Sequence, residues 1–138
     1  MLDALTSSLS IASSGLEAQS TRMRIVSENL ANANSTARTA GADPYQRKTV
    51  TFDGEMDRAA GVQLVKVKEI GVDQTAFPVE YDPGHPAADK AGYVKKPNVN
   101  MMIEMADMRE VNRSYEANLQ VVKQVRSMLG MTIDLLRS

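Results

Sequence analysis

The chain has 138 residues, of which 43% are hydrophobic but only 4% aromatic, and its formal net charge is −1. With so little net charge and so few rings, it lacks the basic surface and the stacking platform that nucleic-acid binding needs, and it has no cationic excess for an anionic membrane. The absence of cysteine excludes disulfide bonds, thiolate catalysis and cysteine-based zinc sites.

No window approaches about 20 consecutive apolar residues, and no basic segment followed by an apolar run opens the chain. We therefore expect no membrane insertion and no cleaved signal peptide.

The first predicted element is a long amphipathic helix over residues 1–34. Its apolar positions step by three and four from Leu2 to Ala33, with polar Gln19 among them, which is a heptad seam. Asn34 and Ser35 then compete for backbone hydrogen bonds and predict the end of the helix.

A small β element and an extended arm are predicted over residues 35–97. Alternating apolar and polar residues indicate strands over residues 45–52 and 62–70, joined by a polar loop over residues 53–61. Residues 73–97 hold four prolines, two glycines and few apolar residues, so we expect an extended arm that crosses a surface rather than building a core.

A second long helix is predicted over residues 98–138, with Asn98 as its N-cap after Pro97. Its apolar positions also follow a heptad seam, interrupted by polar Asn112 and Arg126. At about 1.5 Å per residue it is about 60 Å long, so its apolar stripe needs another long helix. The polar seam residues either set the register between helices or leave simple gaps in the stripe.

The predicted fold is mainly α with a small β insertion, and the two terminal helices pack as a coiled-coil-like hairpin. The seams leave open whether this hairpin belongs to a monomeric bundle or packs between subunits. Val121, Val125, Met128 and Leu135 broaden the stripe of the last helix, which favours contact with more than one helix.

Few residues are candidates for catalysis or metal binding. His85 lies between Asp82 and Asp89, but an Asp-Pro-Gly turn and a lone imidazole are typical of a turn rather than of a metal or catalytic site. Glu104, Asp107 and Glu110 lie near arginines on the last helix, and we expect a solvated face there. No catalytic residue, cofactor, metal or small-molecule substrate is predicted, and the chain is not expected to be an enzyme.

Residues 27–35, Ser-Glu-Asn-Leu-Ala-Asn-Ala-Asn-Ser, resemble the signature of the flagellar rod, hook and filament family, in which an Asn-Leu-Ala-Asn motif closes the first helix. Residues 44–48, 81–86, 92–99 and 112–118 are similar to a rod member of that family and occur in the same order. A longer link, residues 35–43, stands where the general family has a Thr-Pro-Gly-Tyr turn.

The resemblance implies a structural subunit of the basal-body proximal rod, which forms part of a hollow drive shaft and export channel. It implies export through the flagellar type III channel without a cleaved signal, and assembly in the periplasm. The implied partners are copies of the chain, other rod proteins, the rod-to-basal-ring adaptor and distal rod subunits. A soluble helical adaptor that binds a partner through its apolar stripe is the alternative function.

The expected assembly interface combines both seams with the asparagines of the motif. It consists of Leu2, Leu5, Leu9, Leu16, Met23, Val26, Leu30, Asn29, Asn32, Met101, Met105, Met108, Asn112, Tyr115, Leu119, Val122, Leu129, Ile133 and Leu136.

Overall fold

A computed structural model describes residues 2–137 of the chain. The elements in order are α1 (Leu2–Ala31), β1 (Lys48–Asp57), β2 (Val62–Val72), β3 (Val79–Tyr81), β4 (Tyr93–Lys95) and α2 (Met101–Arg137). The mainly helical fold with a small β part between two long terminal helices is therefore confirmed. No helix among the described residues is long and apolar enough to cross a membrane.

The polar residues after Leu30 end α1 as predicted. The Asn32 side chain donates a 2.9 Å hydrogen bond from Nδ2 to the carbonyl oxygen of Glu28, and Ser35 Oγ donates to Asn32 Oδ1 at 3.0 Å. The Glu28 carbonyl also accepts the Asn32 backbone N–H at 3.1 Å, so the backbone and the side chain of Asn32 both bond to the last turn of the helix.

The N-cap of α2 is Asn100, so the prediction of Asn98 was wrong. Asn100 Oδ1 accepts hydrogen bonds from the backbone N–H groups of Met102 at 3.0 Å and Ile103 at 3.4 Å, the geometry of an N-cap. Asn98 instead accepts a hydrogen bond from the Arg47 backbone N–H at 2.8 Å. The side chain of Asn98 holds neighbouring chain segments together and caps nothing.

The chain forms two compact units. The first comprises the described residues of Met1–Met23, Thr51–Glu69 and Arg109–Ser138, and the second comprises Arg24–Val50 and Ile70–Met108. Each unit draws one segment from α1 and one from α2.

In the first unit, the segments of α1 and α2 run antiparallel. A Cβ atom at Gly15 would lie 2.8 Å from the Asn118 side-chain nitrogen, and Arg22 pairs with Glu110 at 3.7 Å. Residue numbers therefore rise along one helix as they fall along the other. The buried apolar side chains of this unit are Ala12, Ala18, Val111, Val122 and Val125.

The hairpin of β1 and β2 is longer than predicted. The two strands form one two-stranded sheet and are joined by residues 58–61 alone, a connection that only antiparallel strands allow. The predicted loop over residues 53–61 was wrong for residues 53–57, which continue β1. Their acidic side chains lie beside lysines of β2: Glu55 contacts Lys66, and Asp53 lies 3.9 Å from Lys68.

The predicted extended arm folds back on itself in the second unit. β3 and β4 pair antiparallel, with Val79 opposite Lys95 and Tyr81 opposite Tyr93. Val94 is fully buried and Ala87 is 3% exposed, so this segment supplies core, contrary to the prediction. The prolines suggested an extended chain, but Gly92, with φ of 87°, provides the left-handed turn that closes the hairpin.

We expect alanine at Gly92 to destabilise the chain by well over 1 kcal/mol. Its positive φ strains any L side chain by about 1–2 kcal/mol, and a Cβ atom there would lie 2.9 Å from the Tyr81 ring and 3.1 Å from Pro83 Cβ. Urea unfolding followed by circular dichroism measures the loss.

Two other glycines separate the backbone strain of a positive φ from the steric clash of an added Cβ atom. Gly61 has φ of 66° but nothing within 4 Å of an added Cβ, whereas Gly84 lacks a positive φ and would place its Cβ 3.8 Å from Asp82. Gly61→Ala should therefore cost only the backbone strain and Gly84→Ala very little. Equal losses for Gly92→Ala and Gly84→Ala would refute this account of the turn.

Candidate assembly surface

The buried face of α2 follows a heptad row of its own. Its buried and half-buried residues step by four and three along the helix, from Glu104 to Leu129. We call these residues the inner row: Glu104, Met108, Val111, Tyr115, Asn118, Val122, Val125 and Leu129.

The inner row shares half of its positions with the predicted seam of α2. Of the predicted residues, Val122 is buried, and Met108, Tyr115, Leu119 and Leu129 are half-buried. The predicted positions Met101, Met105, Asn112, Ile133 and Leu136 are exposed.

The inner row differs from the predicted seam by one residue at every second position. Val111 and Val125 are buried where the predicted seam would have used Asn112 and Arg126. Burying valines and leaving the amide and the guanidinium in water avoids the desolvation cost of polar groups.

The predicted residues of α1 are covered to different degrees. Val26 and Asn29 are buried, and Leu5, Leu9, Leu16, Met23, Leu30 and Asn32 are half-buried. The side chain of Leu2 lies outside the described part of the structure. Gln19 Oε1 is buried and has no hydrogen-bond partner among the described residues.

Asn29, the first asparagine of the family motif, clamps the start of β1. Its Nδ2 donates to the Lys48 carbonyl oxygen at 2.9 Å, and its Oδ1 accepts from the Lys48 backbone N–H at 2.9 Å. The same Oδ1 accepts from the Tyr45 hydroxyl at 2.8 Å, and Nδ2 also donates to Glu104 Oε2 at 3.2 Å. With both side-chain atoms fully used, Asn29 is only 1% exposed.

Glu104 is fully buried, so the prediction of a solvated carboxylate was wrong. It forms an ion pair with the Arg47 Nε, and Arg47 also lies 3.5 Å from Asp73 and 3.9 Å from Asp107. Together Asn29, Tyr45, Arg47 and Glu104 form what we call the Glu104 cluster. Its sequence signal was the position of Glu104, which is four residues before Met108 and continues the inner row.

Two residues of the cluster, Arg47 and Tyr45, have shifted pKa values. Burial disfavours the Arg47 cation, but the hydrogen bond to Glu104 and the charges of Glu104, Asp73 and Asp107 outweigh burial and raise the pKa of Arg47. Burial raises the pKa of Tyr45. The raised pKa values keep Arg47 as a guanidinium cation and Tyr45 as a neutral phenol beside the Asn29 amide.

An exposed pair flanks the cluster. Hydrogen bonds from Lys48 at 2.7 Å and from Arg24 at 2.7 Å hold the pKa of Glu28 below its usual range, and the same pairing raises the pKa of Lys48. This arrangement secures the end of α1 to β1 electrostatically.

The histidine completes a turn. His85 Nδ1 accepts a hydrogen bond from the Ala87 backbone N–H at 3.0 Å, and the His85 backbone N–H donates to the Asp82 carbonyl oxygen at 3.1 Å. Across residues 2–137, no group of three or more histidine or acidic side chains is placed to hold a metal ion.

We expect Arg47→Met to destabilise the chain by about 3 kcal/mol, because it leaves the buried Glu104 carboxylate without its counter-charge. Glu104→Leu should cost less, since Arg47 is partly exposed and keeps Asp73 and Asp107 nearby. The double variant should be more stable than Arg47→Met alone. Urea unfolding of the purified chains completes this double-mutant cycle.

Glu110→Gln is the control, since the Glu110 side chain is 65% exposed and its ion pair with Arg22, at 3.7 Å, is long. Exposed pairs contribute about 0–1 kcal/mol. Strictly additive losses in the cycle would contradict the coupling between Arg47 and Glu104.

Two family models match the chain. The model described as "Flagella basal body rod protein" matches residues 9–38, which lie mostly in α1. The model described as "Flagellar basal body rod FlgEFG protein C-terminal" matches residues 90–135, which include β4 and most of α2.

Curated relatives extend over nearly the whole chain. The flagellar basal-body rod protein FlgC of Agrobacterium fabrum is 64% identical over 137 residues, covering 99% of both chains. FlgC of Escherichia coli O157:H7 is 40% identical and covers 96% of this chain and 98% of its own. FlgC of Bacillus subtilis is 36% identical and covers 93% and 95%, respectively. The chain therefore belongs to the family of flagellar basal-body rod proteins FlgC.

Proposed function

We propose that this chain builds its part of the flagellar rod through its two terminal helical segments, residues 1–34 and 98–138. The chain is a structural subunit of the basal-body rod and assembles with other rod components. Residues 35–97 form the middle part of the proposed domain organisation, which consists of the linker, the small β element and the arm between the two helical segments.

The observation that carries this proposal is the exposed apolar surface of α2. Met101 and Met105 are each 47% exposed, Ile133 is 51% exposed and Leu136 is 75% exposed. All four belong to the heptad seam that the sequence predicts, and each keeps about half or more of its surface exposed in the folded chain. Large apolar side chains at heptad spacing mark a surface that other helices cover.

The inner row and the exposed positions of the predicted seam differ in composition, which supports different roles for them: the first packs within the chain, and the second contacts other subunits. The inner row buries valines and the Glu104 carboxylate within the chain, while the outer positions keep methionine, isoleucine and leucine at the surface. Methionine adapts its shape to different neighbours, which suits a subunit that meets more than one kind of rod protein.

The family to which the chain belongs supports a finer assignment. We propose a place in the proximal rod, in the periplasm, after export without a cleaved signal. We propose the rod-to-basal-ring adaptor and the distal rod subunits as its neighbours beyond further copies of itself. No observation favours the soluble adaptor.

We expect Met105→Asp to abolish rod assembly without unfolding the chain. Met105 is already 47% exposed, so the folded chain tolerates a carboxylate there, and an acidic residue suits the first turns of a helix. In an assembled rod the same charge would be buried unpaired, at a cost of several kcal/mol. Soft-agar motility and electron microscopy of basal bodies measure assembly, and circular dichroism measures folding.

The matched control is Glu110→Gln on the same helix, which should leave motility unchanged because the Glu110 side chain is 65% exposed and forms a weak pair. Normal swimming of cells with Met105→Asp would show that the outer positions of α2 stay in water, and the proposal would fall.

A further inference from the structure

Four of the nine methionines of the chain lie at the start of α2, within residues 101–108. Met102 is 76% exposed, and Met101 and Met105 are each 47% exposed, whereas Met108 is half-buried. We call the three exposed residues, Met101, Met102 and Met105, the methionine patch. All three belong to the second compact unit, so the chain presents several thioethers to water on one short stretch of helix.

The buried Glu104 decides which of these thioethers face water. Successive residues of an α-helix are rotated by about 100°, so Met108 lies about 40° around the helix axis from Glu104 and Met102 about 160°. Met101 and Met105 lie between them, at about 60° and about 100°. Exposure follows this order, from the half-buried Met108 to Met102. Because the ion pair and hydrogen bond of the Glu104 cluster hold that carboxylate inward, they also hold the helix in the rotation that exposes the methionine patch.

An exposed thioether is a substrate for peroxides. The methionine Sδ donates an electron pair to one oxygen of hydrogen peroxide, the O–O bond breaks, and the second oxygen leaves as water with both hydrogens. The sulfur is thereby oxidised to a sulfoxide and the peroxide is reduced. The sulfoxide carries a polar S–O group that accepts hydrogen bonds and donates none. A methionine sulfoxide reductase restores the thioether.

Oxidation of the methionine patch has different consequences for the folded chain and for its assembly. In the isolated chain the new oxygen atoms lie in water, so the fold tolerates them. In the proposed function other subunits cover this part of α2, and each covered sulfoxide would be a desolvated acceptor. The sulfoxide also lacks the apolar, adaptable character with which methionine fits different neighbours.

We propose that the methionine patch is a site of reversible oxidation by peroxide, and that its sulfoxides prevent the unassembled chain from entering the rod while leaving its fold intact. The inference rests on the proposed function and adds a chemical control of the same surface. It holds for any neighbour that covers the patch through apolar contact.

Peptide mass spectrometry of the purified chain after a brief exposure to hydrogen peroxide tests the chemistry. Met102 should be oxidised fastest, Met101 and Met105 more slowly, and Met108 several-fold more slowly than Met102, because exposure falls in that order. Circular dichroism should show an unchanged helix content. Equal rates at Met102 and Met108, or loss of helix when only the patch is oxidised, would overturn the proposal.

Leucine variants test the effect on assembly in cells. Met101→Leu, Met102→Leu and Met105→Leu together keep an apolar surface of similar volume, so rods should still form after a peroxide pulse that reduces rod formation by the unchanged chain. Met56→Leu is the matched control, because Met56 is 59% exposed but lies in β1, outside the terminal helical segments. This control should remain as sensitive to peroxide as the unchanged chain.

Glutamine variants imitate the oxidised state without peroxide, because the glutamine side chain is polar and uncharged. Met101→Gln, Met102→Gln and Met105→Gln together should abolish rod formation and motility, whereas Met56→Gln should leave both intact. Circular dichroism of the purified chains should show that both variants keep their helices.

The outcomes separate this inference from the proposed function. Equal peroxide sensitivity of the leucine variant and the unchanged chain would refute the oxidation site, as would a leucine variant that forms no rods before treatment. Rods formed by the glutamine variant would refute it as well. If Met105→Asp still prevents assembly in these cases, the proposed function stands. If the glutamine variant and Met105→Asp both swim normally, the proposed function fails too.

Discussion

The Glu104 carboxylate, buried at the start of α2, is the constraint around which the second unit is arranged. A buried ion is tolerated only when it is paired and hydrogen-bonded, and Glu104 meets both needs through Arg47 and Asn29. The first partner immediately precedes β1 and the second belongs to the last turns of α1. One carboxylate therefore fixes three chain segments that are distant in sequence.

The same constraint explains the asparagine of the motif. An amide has two donors and two acceptor sites, and Asn29 uses them on the Lys48 backbone, the Tyr45 hydroxyl and Glu104. An aspartate of the same size could donate none of these bonds and would place a second carboxylate beside Glu104. The family signature thus corresponds to a physical requirement at this position.

A different principle governs α2 beyond the cluster. The helix has 37 residues and more apolar surface than one chain covers, since the inner row is covered while other apolar side chains stay in water. A globular monomer would gain by replacing such residues with polar ones. The proposed assembly accounts for these residues, because neighbouring rod subunits would cover them.

Local rules alone set much of this fold. Heptad spacing predicted both terminal helices, the asparagine-rich segment predicted the end of α1, and alternation predicted the first hairpin. Regular spacing can be recognised without knowing the partner. The family signature in residues 27–35 likewise indicated the rod.

What only the tertiary structure decided depends on contacts between distant residues. Spacing could not show that Val111 and Val125 are buried in place of Asn112 and Arg126, because the predicted seam and the inner row share every other position and both have heptad spacing. It also could not show that Glu104 is buried, since a carboxylate among arginines and acids is typical of a surface. Its burial depends on Arg47 and Asn29, 57 and 75 residues away in sequence. Similarly, the fold of residues 73–97 depends on Val94 finding a core. Sequence periodicity thus determined the two long helices and the first hairpin, whereas contacts between distant residues decided which faces are buried and how residues 73–97 fold.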